Sequence, residues 1–111
     1  MNIQIFGRGK CFDTKKAERY FKERRIPFQR IDMDEKGMSP RELERVCAAV
    51  GGLEKLINEK HPDAVLLRHL AYPEDRAARC LEDPRLLKTP VVRSGARATV
   101  GYAPEVWKTW E

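Results

Sequence analysis

Asn2-Ile3-Gln4-Ile5-Phe6, then Gly7-Arg8-Gly9-Lys10-Cys11-Phe12-Asp13-Thr14-Lys15-Lys16-Ala17, then Phe28-Gln29-Arg30-Ile31-Asp32-Met33, is the stretch that decides the fold. Its first segment alternates, with Ile3 and Ile5 on one side, which is the period of a strand. Gly7 to Lys10 break that pattern. From Asp13 onward Ala17, Tyr20 and Phe21 recur at helical spacing up to the basic run Lys22 to Arg25. Pro27 cannot sit inside a helix, so the helix is expected to end near Arg25. Phe28 to Met33 then reads as a second strand. A strand, a loop, a helix and a strand favour a parallel pair joined by a right-handed crossover.

Working outward, Ser39-Pro40-Arg41-Glu42 is a helix start. Ser39 can cap the backbone, Pro40 suits the first helical position, and Glu42 completes a capping box. Leu43, Val46, Cys47 and Val50 follow at i, i+3, i+4 and i+7, and Gly51-Gly52 stops the run. Leu53 to Asn58 reads as a short helix, and Pro62 and Pro73 open two more, ending near Tyr72 and Leu81. Residues 39–87 therefore form a mostly helical block. Thr89 to Arg93 and Arg97 to Val100, around Ser94-Gly95-Ala96, read as an antiparallel hairpin. Pro104 starts a terminal helix anchored by Val106, Trp107 and Trp110. The expectation is one α/β domain over residues 1–111: βαβ, a helical insertion, then ββα, with a mixed four-stranded sheet.

Composition narrows the class. The chain has 111 residues, 41% apolar and 35% charged, with 22 basic against 17 acidic residues and a net charge of +5. One compact domain fits that length, and nothing approaches the ~20 apolar residues of a membrane span. The opening segment lacks the basic region and long apolar run of a secretory signal, so a cytoplasmic setting is expected. Acids are interleaved with bases and no nucleic-acid recognition motif accompanies them, so direct nucleic-acid contact is not expected. A monomer is expected. Three cysteines, at 11, 47 and 80, are too few and too scattered for a disulfide scaffold.

Cys11 stands out by position. It follows a strand and a Gly-containing loop and opens a helix, where free N–H groups and the helix dipole favour an anion. Such a place can lower a thiol pKa below ~8.5. Arg8, Lys10, Lys15 and Lys16 add positive charge, and Thr14, three residues on, can aim its hydroxyl at the sulfur. Cys11 reads either as an activated thiol or as a cysteine that merely packs. Cys47, on the stripe with Leu43, Val46 and Val50, and Cys80, beside Ala77 and Leu81, read as small core residues. His61 before Pro62 reads as a solvated loop residue, and His69 as packed or partly exposed. No paired ligands at short spacing suggest a metal. Nor is there a phosphate loop, a full GxGxxG fingerprint, or an arginine six residues after Cys11.

Ile3-Gln4-Ile5-Phe6 with Cys11-Phe12-Asp13-Thr14-Lys15-Lys16-Ala17, and Leu86-Leu87-Lys88-Thr89-Pro90-Val91-Val92 with Val100-Gly101-Tyr102, resemble the arsenate reductase (ArsC)/Spx family of the thioredoxin/glutaredoxin-like superfamily. The likeness runs over nearly the whole chain. It implies a thioredoxin-like fold, Cys11 as nucleophile, and Pro90 as the cis-proline facing it. Thr14 stands where dithiol members have a second cysteine, so the site is a monothiol one. Family arsenate reductases hold the oxyanion with arginines, one just before the cis-proline. Here that position is Thr89, and Leu56-Ile57-Asn58-Glu59-Lys60 has no arginine where another would fall. Arg93 and Arg97 either reach the pocket from the hairpin or lie solvated.

The resemblance thus implies a thiol oxidoreductase for which arsenate is a doubtful substrate. Cys11, Thr14 and Lys10 would be catalytic, and Arg8, Thr89, Pro90, Arg93 and Arg97 would line the substrate. It implies no bound cofactor, glutathione as reductant, or a glutaredoxin/thioredoxin-type protein in its place. The alternative is an Spx-like regulator that binds the RNA polymerase α subunit without touching DNA. For that branch Gly52 is either a contact residue or, with Gly51, simply a helix stop.

Overall fold

The computed structural model describes residues 2–110. Strand β1 (Ile3–Gly7) leads through a turn into helix α1 (Phe12–Glu23) and strand β2 (Phe28–Asp32). Then come α2 (Pro40–Val50), α3 (Ala64–Arg68) and α4 (Pro73–Glu82), with 3-10 turns at Leu53–Leu56 and Pro84–Leu86. Strands β3 (Val91–Ser94) and β4 (Arg97–Val100) form the hairpin, and α5 (Pro104–Trp107) runs into a last 3-10 turn, Lys108–Trp110. The sheet order is β2-β1-β3-β4. β1 is parallel to β2 and antiparallel to β3, and β3 is antiparallel to β4. This is the mixed four-stranded, thioredoxin-like architecture that the resemblance implies.

Strand alternation gives each face of the sheet its own core. Ile3, Ile5 and Val92 point to one face, where Ala17, Tyr20 and Phe21 of α1 and Trp107 and Trp110 cover them. Phe6 and Val91 point to the other, against Leu43 and Val46 of α2, Leu67 of α3 and Cys80 of α4. The central strand β1 is therefore buried on both sides. Gly51 ends α2 in the left-handed conformation, φ +97°, and Ser39 and Glu42 form the reciprocal capping box at its start. No helix among the described residues is long and apolar enough to cross a membrane.

Several expectations are corrected. α3 does not begin at Pro62; it is a short helix that starts at Ala64 and stops at Arg68. The turn before it is organised by His61, which is not a solvated loop residue. Its side chain is only 9% exposed, with Nε2 3.0 Å from Asp83 Oδ2. Its Nδ1 accepts the Asp63 N–H at 2.9 Å. Val106 is exposed and anchors nothing, whereas Trp107 and Trp110 are buried. The short helix expected over Leu53 to Asn58 is a 3-10 turn confined to Leu53–Leu56, after which Ile57 bridges to Leu87.

Candidate functional site

The site lies where β1 ends. After Gly7 the chain turns through Gly9 and Lys10, with the Cys11 N–H donating to Arg8 O at 3.1 Å. Cys11 is the N-cap residue of α1, in extended conformation at φ −87° and ψ 117°. Its carbonyl accepts the Lys15 N–H at 3.2 Å, the first bond of the helix. The sulfur is thereby held at the helix N-terminus, half-buried, as the sequence pattern anticipates.

Long-range pairing supplies the opposite wall. In the β1–β3 ladder Phe6 lies opposite Val91, so Pro90, just before β3, comes to the end of β1 where Cys11 stands. The Thr89–Pro90 bond is cis. The Pro90 carbonyl accepts the Gly101 N–H at 2.8 Å, tying the segment to the end of β4. The Cys11 thiol donates to Thr89 O at 3.6 Å. Cys11, Thr14, Thr89 and Pro90 are thus brought together.

Burial pushes the Cys11 thiol up. Hydrogen bonds from the side chains of Thr14 and Thr89 and from the backbone N–H groups of Thr14 and Asp13 outweigh that penalty and hold its pKa below the ordinary value. Thr14 is fully buried. Its oxygen accepts the Arg8 N–H at 3.3 Å, which leaves the hydroxyl hydrogen for the sulfur. The other thiols behave oppositely. Burial raises Cys47, and burial, with the charge of Cys47 adding to it, raises Cys80 to about 11. Activation is confined to Cys11.

The basic side chains play a different part from the one expected. Arg8 does not face the sulfur. Its Nε pairs with Asp34 at 3.0 Å, Nη1 donates to Leu87 O at 3.0 Å, and Nη2 donates to Pro84 O. All three groups point to the strap that precedes Thr89, or to its neighbour Asp34. Lys10 is exposed in the turn and is not among the groups that lower the thiol. Neutral donors do that work.

Arg93 and Arg97 lie at the far end of the sheet. Ser94 pairs with both Ile3 and Arg97, so the hairpin tip sits at the start of β1, opposite Cys11. Arg93 donates to Gly95 O at 3.0 Å and Gln4 Oε1 at 3.4 Å. Arg97 lies over the Trp110 ring at 5.5 Å. Neither lines a pocket at the thiol. The correction has a simple cause: β3 starts beside Cys11 and runs away from it.

Residues not singled out by their sequence complete the site. Gly7 leaves the space that Thr14 occupies. The strap is also clipped from outside, by the Asn58 N–H to Leu86 O and the Lys88 N–H to Leu56 O, both 2.7 Å. An apolar cavity of about 630 Å³ between α2 and α4, lined by Leu43, Cys47, Ile57, Ala77 and Leu81, does not include Cys11.

Comparison with known proteins places this geometry. A search of the curated proteins gives no match. Among solved structures, an arsenate reductase from Vibrio cholerae is 23% identical, with 96% of this chain and 94% of that one aligned at a TM-score of 0.83. An ArsC family related protein from Bacteroides fragilis is 20% identical over 100% of this chain and 98% of that one, TM-score 0.84. The glutaredoxin-like NrdH-redoxin from Escherichia coli, 18% identical over 100% and 96% of the two chains, superposes with a TM-score of 0.52. These likenesses establish the shared fold. The ArsC family model matches residues 6–110, from the end of β1 to the last turn. With Cys11 capping the first helix and the cis-Pro90 segment beside it inside that span, the chain belongs to the ArsC family.

Proposed function

We propose that this protein is a monothiol oxidoreductase that uses Cys11 as its nucleophile and an external thiol to release the product. The observation that carries the reading is a cysteine with lowered pKa, held by Thr14 and Thr89 next to Pro90. The Cys11 thiolate attacks one sulfur of a substrate disulfide, and the other sulfur leaves as a thiolate. A second thiolate, from glutathione or a glutaredoxin/thioredoxin-type protein, then attacks the mixed disulfide and expels Cys11 as a thiolate. The groups that stabilise the Cys11 anion also make it a good leaving group. An external thiol is needed because position 14 is threonine, and Cys80 is sealed in the core on the other face of the sheet. The reducing interior of a cell suits this chemistry.

Arsenate remains a doubtful substrate. Thr89 offers no charge, Asn58 is engaged with Leu86 and Arg85, and Arg93 and Arg97 lie at the opposite end. A site without forked cationic donors lacks the strongest hydrogen bonds to an oxyanion. The regulatory alternative, binding of an RNA polymerase α subunit, has less support. Gly52 adopts φ +127° after Gly51 at φ +97°, and that backbone alone accounts for the glycine.

The test is the pH dependence of Cys11 alkylation with Cys47 and Cys80 replaced by serine, followed by turnover of a glutathione mixed disulfide. An apparent pKa of about 7 or lower with glutathione-dependent turnover supports the reading. A value near ~8.5 or above, or no exchange, overturns it.

A further inference from the structure

The net charge of this protein sits in one place. Residues 8–25 hold eight basic and three acidic side chains, whereas the remainder of the chain holds fourteen of each. The whole excess of +5 therefore belongs to the turn and helix that carry Cys11 together with Arg24 and Arg25, which follow the helix. The interleaving expected from the chain as a whole does not hold there.

Much of this charge is unspent. Glu18 is committed to Arg30 at 2.6 Å, and Asp13 stands 4.0 Å from Lys16. Lys10, Lys15, Arg19, Lys22 and Arg25 are exposed and form no ion pair among the described residues. A groove of about 550 Å³ runs beside α1, with Lys16, Arg19 and Arg24 on one wall and Tyr102 and Lys108 on the other. Glu23 is its one acidic lining residue. At the thiol end two aromatic rings face solvent: Phe12, next to Cys11, is 79% exposed and Tyr102 is 43% exposed. An apolar patch at the reactive atom with charge around it is the anatomy of a protein interface.

We propose that the exposed face of α1, from Phe12 and Tyr102 to the Arg19–Lys108 groove, docks an acidic protein whose cysteine exchanges with Cys11. The proposal rests on the oxidoreductase reading and names the class of its partner. The length of the stripe favours a protein over a small thiol. Twelve helical residues extend the basic face ~18 Å from the sulfur, whereas an extended tripeptide spans only ~10 Å. Opposite charge on the partner would accelerate encounter ~10-fold or more, and salt would erase the gain.

The experiment uses the full chain with Cys47 and Cys80 as serine and Cys11 loaded as its glutathione mixed disulfide. Release of glutathione is timed with three thiols: a cysteine peptide flanked by glutamates, the same peptide with lysines, and 2-mercaptoethanol. Rates are corrected for the thiolate fraction of each. At low salt the glutamate peptide is expected to react at least ~10-fold faster than the lysine peptide, with the ratio falling toward one at high salt. Replacing Arg19→Glu together with Lys108→Glu, one from each wall, is expected to remove or invert the preference and leave the 2-mercaptoethanol rate unchanged. Exchange without discrimination, or discrimination that survives the double variant, overturns the docking surface alone. Tighter binding of a single-stranded oligonucleotide than of the glutamate peptide overturns it in favour of nucleic acid. Failure of 2-mercaptoethanol to exchange at all overturns the oxidoreductase reading beneath it.

Discussion

Gly7 and Thr14 occupy one space. A Cβ at position 7 would fall inside the Thr14 side chain, 2.7 Å from its Oγ1. The last residue of β1 is thus small so that the hydroxyl three residues after Cys11 can sit under the turn and reach the sulfur. Gly7→Ala is expected to destabilise the fold by about 1–3 kcal/mol, the usual range for overpacking a close-packed site. It also displaces Thr14, so the Cys11 pKa moves up. Urea unfolding and the pH profile of alkylation read the two effects separately.

Thr14→Val keeps the shape and removes the hydroxyl. The Cys11 pKa is expected to rise, and the rate of alkylation at neutral pH to fall, because one of the bonds that favours the thiolate is gone. The Arg8 N–H also loses its acceptor, at a stability cost of about 1–3 kcal/mol. An unchanged alkylation profile would show that Thr14 only packs.

Ionisation of Cys11 links to stability with a definite sign. Its folded pKa lies below the ordinary 9.0. The thiolate therefore contributes stability that is fully present above the unfolded value and disappears as pH falls through the folded one. Cys11→Ser removes this contribution. The stability gap between wild type and the serine variant is expected to widen in favour of wild type on going alkaline, and to close in acid.

Cys80 works in the opposite sense. Burial, reinforced by Cys47, raises it from 9.0 to about 11, so its neutral form is the one the fold prefers. Its contribution is present below pH 9 and lost as pH rises toward 11. Cys80→Ala is expected to cost about 1–2 kcal/mol at neutral pH for the lost packing. That cost should shrink between pH 9 and 11, a window that unfolding at fixed pH values can follow.

Arg8 holds the strap ahead of Thr89. Its guanidinium reaches Pro84 O, Leu87 O and Asp34, and Arg8→Met leaves those carbonyls without their charged donor. A loss of about 2–3 kcal/mol is expected, with faster amide exchange at Leu86 and Lys88. Arg8→Lys should recover less than half, since one ammonium cannot reproduce a three-armed fork. Full recovery by lysine would reduce the role of Arg8 to a point charge.

What the sequence reveals follows from how local each signal is. The alternation of Ile3 and Ile5, the spacing of Ala17, Tyr20 and Phe21, and the Ser39–Glu42 box are set within one or two turns of chain, and the structure has them all. Cys11 and Thr14 share one helical turn, so their meeting could be read from spacing. Arg8 could not be placed in the same way, because its carbonyl partners are 76 and 79 residues away. The location of Arg93 and Arg97 depends on which way β3 runs past β1, a property of register that no local pattern encodes. The start of α3 moved because the His61 ring, caught between Asp63 and Asp83, makes the turn that Pro62 was expected to make. Gly7 carries a different lesson. Its reason is a side chain seven residues later, visible only once strand and helix are folded together.

Trp107 gives the molecule a built-in optical gauge. The indole is sealed from water, its Nε1 donates to Thr99 Oγ1 at 2.8 Å, and the Tyr102 ring stands 5.6 Å away, edge-on. Tyr102 is also a wall of the basic groove. Excitation of the tyrosine can pass to the indole over so short a gap, so whatever covers the groove alters a signal emitted from inside the core. Occupancy of the outer surface and integrity of the interior can therefore be followed in one fluorescence trace, without a label.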